Sequence, residues 1–245
     1  MCGRFASSTD PADLVGHFGV QQWDPTETLA PSWNVAPTAR TFAVLDRAPR
    51  GERRPVRQLR ILRWGLVPAW AGSPDTAVKM INARAETVHE KPAYRQAYAS
   101  RRCLIPVDGY YEWQTAPTDD PARPPRQPYF VSRADGAPLA LAGLYEFWRN
   151  RELPADHPDA WLVTCTIVTT AAEPLLAPVH ERMPLYLDRT RWDAWLDPAA
   201  ERADLTPPAP GSLRIHPVGD AVGSVRNNHP GLTGQLTEDD RTTLF

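Results

Sequence analysis

The feature that most limits the fold is a series of short β-rich runs that follow one another with few helical segments between them. Each run is rich in β-branched and aromatic residues and is bounded by proline, glycine or polar residues, as strands joined by turns are. The runs lie at residues 41–45, 60–67, 102–107, 110–113, 128–132, 139–148, 160–170 and 184–188. Because strands follow strands without alternating helices, the pattern predicts an α+β protein with a mostly antiparallel β core.

Short helices are expected to flank this core. Asp10 before Pro11 provides an N-terminal cap for a helix that ends at Phe18. Two further helices are predicted over residues 92–99 and 190–196, where aromatic residues recur four and three positions apart. Proline and polar residues predict loops at 47–56, 114–127, 149–159 and 197–212.

The domain organisation follows from length and composition. The 245 residues contain no internal repeat and do not divide into two periodic halves, so we expect one compact, monomeric domain over residues 2–245. The 42% hydrophobic and 23% charged residues are typical of globular proteins and disfavour disordered and coiled-coil classes. No run approaches the roughly 18 apolar residues of a membrane span and no signal peptide is visible, so the chain is expected to be cytoplasmic.

Cysteine and histidine spacing bears on metals and redox state. Cys2, Cys103 and Cys165 are widely separated and form no CxxC pair, which favours reduced thiols over disulfides or a zinc cluster. The six histidines show no metal-ligand spacing with each other or with a cysteine. We therefore expect neither a metal nor a cofactor.

The charge composition leaves nucleic acid open as a partner. A net charge of −2 excludes a uniformly basic coat, but all except two of the 27 basic residues are arginines, which suit bidentate phosphate contact. A local basic groove remains compatible with this balance. The arginines at 47, 50, 53, 54, 57, 60 and 63 fit a DNA track or, as we favour, a solvated hairpin face.

Cys2 is the most informative position for chemistry. Processing that removes Met1 leaves cysteine as the first residue, with an α-amine of pKa near 7.7–8.0 and a thiol of pKa near 8.5 on one residue. Both groups are then expected to be partly nucleophilic at neutral pH. The amine can condense with an aldehyde and the tethered thiol can close a five-membered thiazolidine. Gly3 allows close approach and Arg4 places a phosphate-binding group beside the nucleophile.

Glu112 is a carboxylate within the aromatic run DGYYEWQ. If the strand removes it from water, its pKa rises and it becomes a proton donor near neutral pH. Strand alternation offers a plainer interpretation, in which Tyr111 and Trp113 face the core and Glu112 faces solvent.

Two polar pairs have a spacing of two residues, which places both side chains of a pair on one side of an extended segment. Asn82 and Arg84 in MINARAET combine an amide with a guanidinium, which suits a sugar–phosphate ligand. His180 and Arg182 in VHERMP combine a group that titrates near neutrality with a phosphate-binding group. The alternatives are a turn asparagine and a core histidine.

Tryptophans 33, 64, 70 and 113 lie in or beside these segments. Aromatic faces interleaved with arginine suit single-stranded nucleic acid, since an unstacked base gains roughly 1–3 kcal/mol by stacking on a side chain. Core packing is the alternative for each.

Several blocks together carry a family resemblance: MCGRF, WNVAPT, RWGLVPAW, INARAET, RCLIPVDGYYEW, LAGLYEFW and VHERMPLYL. In this order they resemble the SOS-response-associated peptidase (SRAP) family over about residues 2–190, and weakly through VGSVRNNHPGL. The resemblance implies a β-rich domain that binds single-stranded DNA and links covalently to abasic sites through its processed N-terminal cysteine. The Pro/Asp-rich loop at 115–127 and the C-terminal segment depart from the family pattern.

The resemblance also assigns roles to matching positions. Cys2 is implied as the cross-linking nucleophile and Asn82 as the amide that holds the reacting sugar and the nucleophile. Glu112 is implied as the proton-transfer carboxylate and His180 as the active-site imidazole. DNA contacts are implied for Arg4, Trp64, Trp70, Arg84, Trp113 and Arg182. A cysteine peptidase restricted to Met1 or acting more widely, and a noncovalent single-strand binder, are the alternatives.

Overall fold

The computed structural model describes residues 2–49, 51–115, 126–200 and 202–237. Its strands are β1 (Arg4–Ser7), β2 (Ser32–Val35), β3 (Arg40–Arg47), β4 (Val56–Trp64), β5 (Asn82–Arg84), β6 (Arg102–Val107), β7 (Gly109–Thr115), β8 (Arg126–Arg133), β9 (Leu139–Arg149), β10 (Trp161–Ala171), β11 (Arg182–Pro184) and β12 (Leu213–Pro217). Its α-helices are α1 (Pro11–Phe18), α2 (Arg95–Ser100) and α3 (Trp192–Leu196).

Five of these strands close into a barrel. They pair in the order β10-β4-β3-β6-β9, and β9 pairs back onto β10 along seven residue pairs. β5 and β11 continue the pairing along the C-terminal half of β10. A second sheet has the order β12-β8-β7-β1-β2. The α+β class with a mostly antiparallel core is therefore confirmed, although β10 runs parallel to β4 and β5.

The barrel interior is filled from all five strands. Ala43, Leu62, Cys103, Tyr145 and Cys165 belong to one buried cluster. A Cβ added to Gly143 would lie 3.0 Å from the Cys103 Sγ atom, so β9 needs a residue without a side chain here. The second sheet covers one end of this cluster, where the Phe5 and Trp64 ring centroids lie 4.8 Å apart.

The helices cover the outside of the barrel. Leu14 and Phe18 of α1, Tyr98 of α2 and Trp192 and Trp195 of α3 share a second buried cluster. The Asp10 carboxylate accepts a hydrogen bond from the Ala12 amide (2.8 Å), so α1 begins and ends where its capping residues predict. The predicted second and third helices are shorter, and a 3₁₀ turn at Arg189–Arg191 precedes α3. Within the described residues, no helix is long and apolar enough to span a membrane.

Several predicted strand bounds are corrected. The run at 60–67 ends at Trp64 because Gly65 has φ +117°, and a Cβ there would lie 2.5 Å from the Ala77 carbonyl oxygen. The run at 184–188 contributes only to β11 and to a bridge between Leu141 and Tyr186. The sequence patterns missed β1, β2, β5 and β12, which have three to five residues each. Part of the predicted 114–127 loop (116–125) and Arg50 lie outside the described residues.

The arginine-rich hairpin of β3 and β4 has a partly structural role. Arg57 forms ion pairs with Asp46 (2.9 Å) and Asp193 (2.7 Å) and donates to the Phe18 carbonyl, so it joins the hairpin to α1 and α3. Arg53 and Arg54 are exposed. Arg57 therefore stabilises the tertiary structure.

Arg102 is buried and ties two helix ends to the barrel. Its guanidinium donates to the carbonyl oxygens of Tyr98, Ala99, Trp195, Asp197 and Ala200. Four of these carbonyls lie at the C-terminal ends of α2 and α3, where backbone acceptors lack partners within the helix, and that of Ala200 lies in the segment after α3.

We expect Arg102→Leu to lower the free energy of unfolding by roughly 3 kcal/mol or more, since several charge-assisted bonds worth about 1.5–3 kcal/mol each are lost. Denaturant titration measures the loss. Arg95→Leu, an exposed position of the same helix α2, should change stability by less than about 0.5 kcal/mol. Equal losses in the two variants would contradict a structural role for the Arg102 bonds.

Candidate active site

Cys2 is held at both ends of its segment. β1 lies between β7 and β2, with Arg4 opposite Tyr111. Beyond β1, the Asp108 carboxylate accepts hydrogen bonds from the amides and hydroxyls of Ser8 and Thr9 at 2.6–3.3 Å. At the other end, the Asn82 side-chain amide donates to the Cys2 carbonyl oxygen at 2.7 Å. The N-terminal segment is therefore fixed over the end of the barrel.

Asn82 is in turn fixed by its neighbours. It begins β5 and pairs with Ile167 of β10. The Tyr94 hydroxyl donates to the Asn82 carbonyl oxygen (3.2 Å), and the Trp64 indole donates to the carbonyl oxygen of Ile81 (2.9 Å). Trp64 is fully buried, so the prediction that it forms part of the DNA-binding surface is wrong for its side chain. Trp64 instead orients the residue that precedes Asn82.

Glu112 lies on β7 and is 6% exposed, so the interpretation that it faces solvent is wrong. Both faces of this strand are covered. Tyr110 joins the cluster that contains Cys2, whereas Tyr111 and Trp113 pack on the outer face with the C-terminal segment. Burial raises the pKa of the Glu112 carboxyl, as the proton-donor interpretation requires.

His180 lies at the end of a tight turn that faces Glu112. The turn is closed by the His180 amide, which donates to the Leu176 carbonyl oxygen (3.1 Å). The Arg182 backbone amide donates to His180 Nδ1 at 2.9 Å, which leaves Nε2 to carry the proton of the neutral ring. Glu112, His180 and Tyr110 line the same small cleft. The structure thus brings together two residues that were predicted to transfer protons and that are 68 positions apart in the sequence.

The environment of the Cys2 thiol differs from the sequence expectation. The residue is fully buried, and burial raises the thiol pKa above its ordinary value, with a further increase from the charge of Glu112. In the chain that carries Met1, burial therefore opposes the partial ionisation that was expected for an N-terminal cysteine. A thiol in this position stays protonated until a neighbouring base accepts its proton.

The three arginines predicted to contact phosphate differ in their partners. Arg84 is exposed and its guanidinium forms no hydrogen bond or ion pair within the described ranges. Arg182 binds Glu86 through two bonds (2.6 and 2.9 Å) and also donates to the Thr169 carbonyl oxygen. Arg4 donates to Asn34 Oδ1 at 2.7 Å. Only Arg84 is therefore available to a phosphate without losing an existing partner.

Two further tryptophans were predicted to contact DNA. Trp70 is 67% exposed and lies in the loop between β4 and β5. This loop is anchored by the Trp148 indole, which donates to the Ala71 carbonyl oxygen (2.6 Å). Trp113 is half-buried, with its ring centroid 6.5 Å from that of Tyr111 on the face of β7 away from Glu112. Trp70 therefore presents the larger free aromatic surface.

Residues 1–225 match the family described as "SOS response associated peptidase (SRAP)". The chain belongs to this family.

The relatives of this SRAP chain span bacteria and vertebrates. It is 35% identical over 237 residues to "Abasic site processing protein YoqW" of Bacillus subtilis (strain 168), covering 95% of this chain and 98% of that protein. It is 27% identical over 269 residues to "Abasic site processing protein HMCES" of Xenopus tropicalis, covering 94% and 77%. A crystal structure of a protein from Bacteroides thetaiotaomicron has the same fold, with a TM-score of 0.78 at 23% identity, covering 96% of this chain and all of that one.

Two residues that the sequence patterns did not indicate contact the predicted site residues of this SRAP chain. Asn34 donates through its amide to the carbonyl oxygens of Val222, Ser224 and Asn227 at 2.8–3.2 Å, while its Oδ1 accepts from Arg4. Asn34 thereby attaches the C-terminal segment to β2 and β1. Its position in the WNVAPT block was the sequence feature from which Asn34 could have been predicted as a site residue.

Glu86 is the second residue that the sequence patterns did not indicate. It lies two positions beyond Arg84, so an extended INARAET segment places both on one side. Its pKa is lowered by the hydrogen bonds from Arg182, so the carboxylate remains charged down to acidic pH. A phosphate that binds Arg182 must compete with this carboxylate or share the guanidinium with it.

Proposed function

We propose that this SRAP chain recognises abasic sites in single-stranded DNA and links to them through a thiazolidine formed by Cys2 after Met1 is removed. The proposal is supported by relatives that are named abasic site processing proteins and by the chemistry of an N-terminal aminothiol. The observation that carries it is the 2.7 Å bond from Asn82 to the Cys2 carbonyl oxygen, which holds Cys2 beside the buried acid Glu112.

The first step uses the amine of Cys2. Its nitrogen attacks C1′ of the ring-opened sugar, a C–N bond forms, and the aldehyde oxygen becomes the hydroxyl of a carbinolamine. Loss of this hydroxyl as water needs a proton donor. Glu112, whose pKa is raised by burial, is the acid placed to supply it and leave an imine.

The second step uses the thiol. The sulfur adds to the imine carbon, the S–H proton passes to a neighbouring base, and the ring nitrogen takes up a proton, so that one water is lost overall. The Glu112 carboxylate and His180 Nε2 are the groups placed to move these protons. The same path run backwards releases the DNA. Ring closure also consumes the imine, which would otherwise undergo β-elimination as in a lyase.

The DNA path is assigned to the surface around β5. Arg84 offers an unpaired guanidinium to a phosphate, and Trp70 offers an exposed ring to a base. Arg182 joins a phosphate only when its bonds to Glu86 rearrange. We therefore assign the first phosphate contact to Arg84.

One experiment separates this function from a lyase, a noncovalent binder and a peptidase. The chain is incubated with single-stranded DNA that carries one abasic site, and the products are separated by denaturing electrophoresis. A heat-stable protein–DNA band supports the proposal. DNA cleavage without a band indicates a lyase, whereas a native shift without a denatured band indicates a noncovalent binder. Peptides are added in a parallel incubation, and their cleavage without a protein–DNA band indicates a peptidase.

Replacement of Arg84 tests the DNA path. We expect Arg84→Ala to weaken binding to single-stranded DNA by about 1–3 kcal/mol, equally for intact and abasic strands, because a phosphate contact carries no base information. The slope of log affinity against log salt concentration should fall in magnitude by about one, because one phosphate contact is lost. Arg53→Ala, which removes an exposed arginine from the β3–β4 hairpin, is the control and should leave affinity within about twofold. Unchanged affinity and salt slope in Arg84→Ala would exclude the assigned path.

A further inference from the structure

A second cavity lies where β4 and β10 diverge. These strands pair only at Arg63–Thr164 and Trp64–Cys165, so residues 56–62 of β4 leave an opening into the barrel. The cavity measures about 1040 Å³ including its mouth. It is lined by barrel residues and walled by Thr26, Glu27 and Thr28. None of Cys2, Asn82, Glu112 and His180 lines it.

The mouth of this cavity is positively charged. Arg40, Arg47 and Arg60 line it together with one acid, Glu27, which lies 3.5 Å from Arg60. Arg47 and Arg40 form no ion pair within the parts of the chain described. Arg47 instead lies over the Phe147 ring, 4.7 Å from its centroid. Arg60 contacts Glu27 through one guanidinium nitrogen only, and both side chains are partly exposed. Arg47 and Arg60 therefore both keep donors that can bind a ligand in the cavity.

The floor of the cavity combines flat apolar surface with an unused polar group. Phe147 and Tyr145 pack edge to face, with ring centroids 5.7 Å apart, and Leu62 and Val163 complete the wall. Tyr145 is 4% exposed and its hydroxyl has no hydrogen-bond partner in the described structure. The hydroxyl itself reaches the open space of the cavity, where it can form a hydrogen bond with a ligand.

We propose that this cavity binds a nucleotide, with its phosphate on Arg47 and Arg60 and its base against Phe147 and Tyr145. Planar guanidinium groups match phosphate oxygens, and an aromatic floor matches a base. The space exceeds what inorganic phosphate fills, and the open end of a β-barrel is a common place for small ligands. Two sources share this chemistry: a free nucleotide, and a nucleotide of a DNA strand that extends from the Cys2 site. The second source rests on the proposed function.

The test compares Arg47→Gln/Arg60→Gln with the wild-type chain. Its matched control is Arg53→Gln/Arg54→Gln, which makes the same charge change at exposed positions of the same hairpin. The probes are thymidine 5′-monophosphate, inorganic phosphate, and oligothymidylates of about 4 and about 16 nucleotides. Calorimetric titration gives the affinities, and circular dichroism confirms folding.

The wild-type chain should bind the monophosphate saturably and more tightly than inorganic phosphate. The double variant should lose at least about tenfold in affinity, and the control should stay within about twofold. Tyr145→Phe, which keeps the ring and removes only the hydroxyl, should weaken the monophosphate several-fold without unfolding the barrel. Absence of saturable binding to the wild type, or equal losses in the double variant and the control, would overturn the proposal.

The oligonucleotides identify the source. The long oligothymidylate is expected to bind more tightly than the short one. If this difference in affinity is lost in the double variant and kept in the control, the cavity holds part of the DNA. If it loses only the monophosphate, the ligand is a free nucleotide. Cross-linking to an abasic strand is scored on the same proteins at saturating DNA. A missing cross-link refutes the Cys2 chemistry and leaves the result for the cavity unchanged.

Discussion

Cys2→Ala will form no heat-stable adduct with abasic single-stranded DNA and will bind intact single strands within about twofold of the wild-type affinity. The alanine chain retains an N-terminal amine, so an imine can still form. It lacks the sulfur that closes the ring, and an imine hydrolyses when the complex is denatured. Denaturing electrophoresis measures the adduct, and fluorescence anisotropy measures the noncovalent affinity.

The two other cysteines provide matched controls. Cys103 and Cys165 are equally buried in the same cluster as Cys2. Cys103→Ala and Cys165→Ala should lower thermal stability but keep the adduct. Cys2→Ser should give an imine that borohydride traps and no heat-stable product, because a hydroxyl is a weaker nucleophile than a thiol. A heat-stable adduct in Cys2→Ala would refute the assigned nucleophile.

Glu112→Gln will slow adduct formation, reversal, or both by roughly 10²–10⁴-fold while leaving DNA affinity nearly unchanged. The amide fills the same space but cannot transfer the proton that leaves with the sugar hydroxyl. Reversal is the sharper assay, since reopening the thiazolidine returns the proton along the same path. Preformed adduct is challenged with excess unlabelled abasic DNA, and transfer of label is followed with time.

The same substitution should raise stability near neutral pH. Burial raises the pKa of Glu112, so the folded chain keeps a proton at pH values where the unfolded chain has released it. The stability that depends on this group is full below the ordinary carboxyl pKa and is lost as pH rises through the raised one. Glutamine cannot ionise and avoids this loss.

Glu173 supplies the control for the Glu112 result. It is buried, both carboxyl oxygens lack hydrogen-bond partners in the described structure, and burial raises its pKa as well. Glu173→Gln should therefore raise the melting temperature near neutral pH and keep wild-type cross-linking rates. Wild-type rates in Glu112→Gln in both directions would assign the proton transfers to His180 instead.

Much of the barrel was predictable because its strands carry local signals. The runs at 102–107, 139–148 and 160–170 are rich in β-branched, aromatic or other apolar residues, and they fall within β6, β9 and β10 or within one residue of them. The strands that hold the site were not predictable in this way. β1, β5 and β11 have three or four residues each, too few for a periodic pattern, and they form because β7 and β10 pair with them.

The environment of the site residues depends on contacts between distant parts of the chain. Alternation along β7 could not tell whether Glu112 faces water, because a second layer from other segments covers this strand. Arg182 and Glu86 are 96 positions apart, so their ion pair has no local signal. The sequence also could not show whether the Trp64 indole is buried, since tryptophan occurs both in protein cores and on DNA-binding surfaces. Tertiary packing decided each of these cases.

The mass of the purified adduct tests the central claim most directly. The wild-type chain is cross-linked to an abasic oligonucleotide, and the intact product and its peptides are weighed. We expect the mass of the chain beginning at Cys2 plus the oligonucleotide less one water, with the modification on Cys2. A cross-linked chain that retains Met1, or an adduct carried by Lys79, Lys91 or any residue other than Cys2, would contradict it.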